Sequence, residues 1–186
     1  QTSIDAAIAS RSNSQRDQAF EKAEAELQAY VDANSSHERA SEARSMLGKL
    51  QMVRAAQHMS GELDSSKRTK AREAYAKAAK TFESIQSDLK TKLEGMQGAK
   101  IDPLKDPEKA TLRDQYRFEY LMARQNTGEA QLMAAKTFKN PSKDGKALLE
   151  KALAEMVELS EKYDNYIIGA SAFHKRGDIE RLLGQK

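Results

Sequence analysis

Hydrophobic and polar residues follow each other along this chain with the period of an α-helix. Apolar residues recur at steps of three and four, which places them on one side of a helix. No alternation of apolar and polar residues is long enough to indicate a β-strand. The pattern therefore predicts an all-α protein. The longest apolar stripe consists of Ala71, Tyr75, Ala78, Phe82, Ile85, Leu89 and Leu93.

Breaks in this pattern divide the chain into a short leading helix and six longer helices. The leading helix is predicted at 2–10, and the longer helices form hairpins at about 14–61, 65–139 and 144–185. In the first hairpin, the second helix is expected to start near Ser36. The central hairpin is the longest, and its second helix should begin at Asp106-Pro107, because Asp is a favoured N-cap and Pro suits the first helical position.

One short phrase occurs three times in the helical segments. It consists of Lys-Ala followed by large apolar residues four and seven positions after the Ala, and its copies are centred on Ala23, Ala78 and Ala152. A methyl-sized side chain lets a neighbouring helix approach closely, and the large residues fill the space on either side. Three copies indicate a stacked repeat in which each unit buries its apolar face against the next.

The first and third copies agree further along the chain. An Ala follows twenty residues later and a Gly twenty-five residues later, at Ala43 and Gly48 and again at Ala172 and Gly177. This pattern resembles the tetratricopeptide repeat, particularly its bacterial variety with a lengthened turn. The resemblance implies one domain over 1–186, an irregular α-solenoid of antiparallel helical hairpins. The middle repeat departs from the pattern because its hairpin is elongated.

Composition and charge narrow the possible functions. The 31 basic and 28 acidic residues are finely mixed, so the clustered basic surface of a nucleic-acid-binding protein is not expected. No apolar run approaches the length of a membrane span. The absence of cysteine excludes disulfides and thiolate sites. It is compatible with export to an oxidising compartment, so the location stays open, with an exported or periplasmic one slightly favoured over the cytoplasm. The chain starts at Gln1, so we expect a processed protein or a piece of a longer solenoid.

The sequence contains no pattern that predicts catalysis, a cofactor or a metal site. His37, His58 and His174 are far apart in the chain, and none belongs to a ligand pair of the kind that binds zinc. The carboxylates alternate with Lys and Arg at helical spacing, which is typical of solvated, ion-paired helix faces. We therefore expect a protein that is not an enzyme.

Arginine and tyrosine cluster on one side of the helix that follows Pro107. They are the residue types most enriched at the energetic centres of protein interfaces. In the alternative interpretation, the tyrosine rings pack inside the hairpin while the arginines extend to solvent. The sequence leaves both open. The cluster consists of Arg113, Tyr116, Arg117, Tyr120 and Arg124.

The resemblance also implies a binding face, because it places the helices from about 37, 107 and 167 on the concave side. The lining expected on this face is mixed and net-basic. It suits a protein or peptide partner with acidic and apolar side chains. We expect a monomeric scaffold protein. The alternative is an architectural protein whose long hairpin is a coiled-coil-like arm for self-assembly, which predicts oligomers. The partner-binding residues are predicted to be Glu42, Ser45, Lys49, Met52, Arg117, Tyr120, Arg124, His174 and Arg181.

Overall fold

A computed structural model describes residues 13–35, 37, 40–97 and 101–184 of the chain. Within these residues the chain forms helices and no strand, so the predicted all-α class is confirmed. The predicted leading helix at 2–10 and the predicted helix start at Ser36 lie outside the described residues. The helices are α1 (Asn13–Ala33), α2 (Ala40–His58), α3 (Ser65–Met96), α4 (Pro107–Lys136), α5 (Pro141–Asp144), α6 (Lys146–Lys162) and α7 (Ile167–Leu183).

The two longest helices, α3 and α4, start in different ways. Asp64 caps α3, because its carboxylate accepts a hydrogen bond from the Lys67 backbone N–H at 2.7 Å. With 32 residues, α3 is about 48 Å long. Pro107 starts α4 as predicted, but the Asp106 carboxylate forms no capping hydrogen bond and instead pairs with Lys109 at 3.7 Å. The break expected before α6 contains the single-turn helix α5.

Each long helix packs mainly against its neighbours along the chain, in the order α1, α2, α3, α4, α6, α7. The side-chain contacts show the directions of the helices. On α3 and α4, Arg72 donates to the Thr137 hydroxyl at 3.0 Å, and Gln86 donates to the Thr127 hydroxyl at 2.6 Å. A later position on α3 therefore meets an earlier position on α4, and the two helices are antiparallel.

Helices α2 and α3 are also antiparallel. Arg44 forms an ion pair with Asp88, and Gln51 accepts a hydrogen bond from the Thr81 hydroxyl at 3.0 Å. Since α2 and α4 are both antiparallel to α3, they are parallel to each other. They also meet directly, because the Ser41 hydroxyl of α2 donates to the Glu119 carboxylate of α4.

Small residues bring these helices close together. Ala23, Ala78 and Ala152, the small residues of the repeated phrase, are all buried. One such close approach of α2 to α3 is at Gly48, which faces the Phe82 ring. A Cβ atom at Gly48 would lie only 2.7 Å from the ring's Cζ atom. The ring therefore occupies the space that any larger residue at Gly48 would need.

Because Ala78 is fully buried, a larger side chain at this position should destabilise the fold. Replacing Ala78 with Leu should lower the free energy of unfolding by roughly 1–3 kcal/mol, because the added atoms overpack a fully buried position. Lys80→Leu on the exposed side of α3 is the control and should change it by less than about 0.5 kcal/mol. Urea denaturation of both variants measures the difference. Equal effects would show that the α3 stripe faces another way.

Candidate binding surfaces

An open groove lies between the parallel helices α2 and α4. We call it the α2–α4 groove. Its volume is about 710 Å³, and Ile85 of α3 contributes to its lining. The groove forms because α2 and α4 pack side by side on α3. The other lining residues are Ser41, Glu42, Ser45, Met46 and Lys49 from α2, and Leu112, Gln115, Phe118, Glu119, Met122, Ala123 and Asn126 from α4.

Each wall of the groove carries a large apolar side chain that is exposed. Met46 on α2 is 48% exposed, and Phe118 on α4 is 64% exposed. Met122 adds a second methionine to the α4 wall. Methionine side chains adapt to irregular partners, because they have several rotatable bonds and a polarisable sulfur. The two walls thus offer apolar contact area that the described residues leave uncovered.

The charges of the groove differ between its two ends. At one end, the Glu119 carboxylate accepts hydrogen bonds from Ser41 at 2.5 Å and from Gln115 at 2.8 Å. Glu42 is next to Ser41 in the same wall. Lys49 lies two helical turns further along α2, at the other end. The lining therefore holds two carboxylates and one ammonium group, so it is not net-basic.

A second recess lies where α3 ends, beside α4 and the turn between α6 and α7. We call it the α4–α7 recess, and its volume is about 1020 Å³. Ile167 is 91% exposed at its edge, and Phe118 lines both this recess and the α2–α4 groove. The two hollows therefore share one lining residue, Phe118. The recess is lined by Leu93, Asp114, Arg117, Phe118, Tyr120, Leu121, Tyr163, Asn165, Tyr166, Ile167 and Ile168.

Arg124 of α4 is buried and serves the contact between α4 and α6. Its guanidinium donates to Glu155 at 2.8 Å and to Glu158 at 2.6 Å. Glu158 also accepts a hydrogen bond from Lys162 at 2.7 Å. The hydrogen bond from Arg124, which is the larger effect, and the one from Lys162 lower the pKa of Glu158 from 4.5 to about 2. Arg124 is therefore engaged within the fold rather than presented to a partner.

The predicted partner-binding residues do not share one surface. Glu42, Ser45 and Lys49 line the α2–α4 groove. Arg117 and Tyr120 line the α4–α7 recess instead.

The remaining four predicted residues lie outside both hollows. Met52 is half-buried and packs against the core, and Arg124 is held by α6. His174 and Arg181 are exposed on α7, where Arg181 donates to Asp178 at 2.8 Å. The expected net-basic lining depended on Arg117, Arg124 and Arg181, and none of the three lines the groove.

The sequence pattern did not predict the α4 wall of the groove. Its residues recur at steps of three and four, next to the Arg/Tyr cluster on the same helix. The sequence feature that could have identified them is Phe118, a large apolar residue that lies among the arginines and tyrosines of this helix. The missed residues of this wall are Leu112, Gln115, Phe118, Glu119, Met122 and Asn126.

The histidines lie apart on the described chain. His58 ends α2 and is half-buried, and burial lowers its pKa. Among the described residues, no three His, Cys, Asp or Glu side chains are grouped so that they could hold a metal ion. Of the helices in this part of the chain, none is both long and apolar enough to cross a membrane.

The chain was also compared with known proteins. No family model, no curated protein and no solved structure matches it. A function is therefore inferred from the geometry of the two hollows and from the chemistry of the residues that line them.

The Arg124–Glu158 pair predicts a specific dependence of stability on pH. Because folding lowers the pKa of Glu158, its ionised form stabilises the fold above about pH 4.5, and this contribution is lost as the pH falls towards 2. Glu158→Gln should therefore lower the free energy of unfolding at pH 7. The side chain is 40% exposed, so solvent screening limits the loss to about 1 kcal/mol.

The test is denaturant unfolding of wild type and Glu158→Gln at pH 7 and near pH 2. The difference between them should shrink at the acid end. Glu150→Gln is the matched control on the same helix, since Glu150 pairs with the exposed Lys146 at 3.7 Å. It should change stability by less than about 0.5 kcal/mol at pH 7. A Glu158→Gln effect that persists at pH 2 would contradict the assignment.

Proposed function

We propose that this protein is a non-enzymatic scaffold that binds a segment of a partner protein in the α2–α4 groove. One observation carries the proposal: the groove is open and has an exposed, large apolar side chain on each wall. Apolar surface of this kind, bordered by polar residues, is typical of protein-interaction sites. A groove between two helices also has the shape that accepts an amphipathic helix or an extended peptide.

We further propose that the helices form an irregular array similar to tetratricopeptide repeats. The support is that consecutive long helices pack on each other, and that the repeated phrase buries its Ala in all three copies. The array is irregular in two respects. The central hairpin of α3 and α4 is elongated, and the single-turn helix α5 precedes the third copy of the phrase.

The lining of the groove defines the chemistry of the partner segment. Apolar side chains of the segment would contact Met46, Phe118 and Met122 on the walls. A basic side chain is expected near Glu42 and Glu119, and an acidic one near Lys49, because opposite charges across an interface favour the correct register. The proposed ligand is thus an amphipathic segment that carries both charges, rather than the acidic segment expected from the sequence.

The architectural alternative requires a hairpin that is free along its length. Here α2 covers α3 as far as Asp88, and α6 packs on α4 at Arg124. Beyond Asp88, α3 extends for about two further turns to its end at Met96. This packing favours the groove over a long self-assembling arm. An arm retains support only if changes at the hairpin tip alter the oligomeric state.

The proposed function can be tested without a known partner by selecting binders from a displayed library of random peptides. Peptides enriched on the wild-type protein are synthesised, and their dissociation constants are measured by calorimetry. Phe118→Glu should weaken binding at least about tenfold, because it places a charge in the apolar contact. The selected peptides should contain apolar residues together with both charges.

Tyr30→Glu is the matched control, since Tyr30 is a comparably exposed aromatic residue on α1, outside both hollows. It should leave binding unchanged. Met46→Glu on the opposite wall should weaken binding as Phe118→Glu does. If Phe118→Glu weakens binding and Met46→Glu does not, the α4–α7 recess is the site. If neither variant weakens it, both hollows are excluded as the binding site of those peptides.

A further inference from the structure

The last helix, α7, has an exposed stripe that combines large aromatic and small residues. Tyr166 precedes the helix and is 66% exposed, and Phe173 is 68% exposed. Ala170 and Gly177 are exposed along the same side, at helical spacing, and Gly184 is the exposed residue that caps the end of the helix. We call these five residues the α7 stripe. Its first half carries the aromatic rings, and its second half carries the glycines.

The α7 stripe has an internal counterpart on α2, because the repeated pattern equates Gly177 with Gly48. In the same register, Ala170 corresponds to Ser41 and Gly184 to Ala55. The α2 residues are buried, since α3 and α4 pack over this side of α2. The corresponding α7 residues are exposed. The α7 stripe is therefore a helix-packing surface that no helix covers in the described part of the chain.

The corresponding side of α2, which is covered by α3, also shows what kind of side chain fits such a surface. At Gly48 the aromatic ring of Phe82 fills the space beside the glycine. At Gly177 the corresponding space is open, because a Cβ atom built there has no neighbouring atom within 4 Å. An aromatic ring from another helix would fill the space over Gly177 in the same way. Phe173, one helical turn earlier, offers such a ring to a second molecule.

We propose that two copies of this chain pair through the α7 stripe as an antiparallel, two-fold symmetric dimer. Phe173 of each copy would lie over Gly177 of the other. The same register brings Tyr166 of each copy to Gly184 of the other, because both residue pairs are centred on Lys175. In a two-fold interface, each contact occurs twice, so two aromatic–glycine pairs become four contacts.

The arrangement favours a second copy over an unrelated helix as the occupant. The aromatic half of the stripe complements the glycine half only when the partner helix runs in the opposite direction. This antiparallel alignment also brings together the oppositely charged ends of the two helix dipoles. The stripe is thus complementary to itself in both shape and direction.

The dimer goes beyond the proposed scaffold function and differs from the monomer expected from the sequence. The α7 stripe shares no residue with the lining of the α2–α4 groove. A dimer would carry two such grooves, so a partner with two binding segments would bind more tightly than a single segment does. Because the residues differ, failure of one proposal does not imply failure of the other.

Sedimentation velocity tests the dimer, with wild type measured over about a hundred-fold range of concentration. The sedimentation coefficient of wild type should rise with concentration from the monomer to the dimer value. Gly177→Leu fills the open space and should weaken dimerisation at least about tenfold, because the Phe173 ring of the other copy no longer fits.

Gly177→Leu should weaken the dimer but stabilise the folded monomer. Leucine favours helix over glycine, so dilute Gly177→Leu protein should unfold at a temperature about 2–4 °C higher than dilute wild type. A weaker dimer with a more stable monomer cannot result from misfolding. Phe173→Ala should also weaken the dimer, because it removes the ring.

Gly95→Leu is the matched control, because a Cβ atom at Gly95 on α3 also has nothing within 4 Å. It should leave dimerisation unchanged. The proposal is overturned if wild type remains monomeric at every concentration, or if Gly177→Leu dimerises as wild type does. Equal weakening by Gly95→Leu would also overturn it. If the chain is monomeric and Gly177→Leu abolishes binding of a selected peptide, the stripe binds another protein and the dimer is excluded.

Discussion

The contact between Gly48 and the Phe82 ring is the interaction on which the rest of the structure depends. It requires a residue without a side chain, because even a Cβ atom would lie 2.7 Å from the ring. The contact draws α2 onto α3, and α4 packs on α3 beside it. The two flanking helices then run parallel, one on each side of Ile85, and form the α2–α4 groove. The candidate site is therefore a consequence of helix packing, and its walls belong to segments far apart in the chain.

Polar contacts at the edges of this packing set the register of the helices. Gln51 of α2 illustrates this, because it donates to Glu24 of α1 at 3.0 Å and accepts from Thr81 of α3 at 3.0 Å. One amide thus ties three helices together. Arg124 has the same role between α4 and α6. Such contacts contribute modestly to stability, but a shift in register would leave buried polar groups without partners. Between the two walls of the groove, the hydrogen bond from Ser41 to Glu119 is a contact of this kind.

The helices were predictable from the sequence, but the direction in which most polar side chains point was not. Periodicity located the helices, and the repeated phrase identified Ala23, Ala78 and Ala152 as buried. Periodicity defines a stripe on one helix, yet it does not say which neighbouring helix meets that stripe. Arg124 is the clearest case, because it became an internal residue once α6 placed Glu155 and Glu158 beside it. Phe118 was missed for the related reason that the groove exists only after α2 and α4 meet.

A double-mutant cycle at Gly48 and Phe82 tests the account most directly. In wild type, Gly48→Ala should lower the free energy of unfolding, because the new methyl group meets the ring. In a Phe82→Leu background the ring atoms nearest to Gly48 are absent. There, Gly48→Ala should instead raise the free energy of unfolding, by up to about 1 kcal/mol, since alanine favours helix over glycine. This reversal of sign is the predicted result. If Gly48→Ala has the same effect in both backgrounds, the ring does not set the approach of α2 to α3.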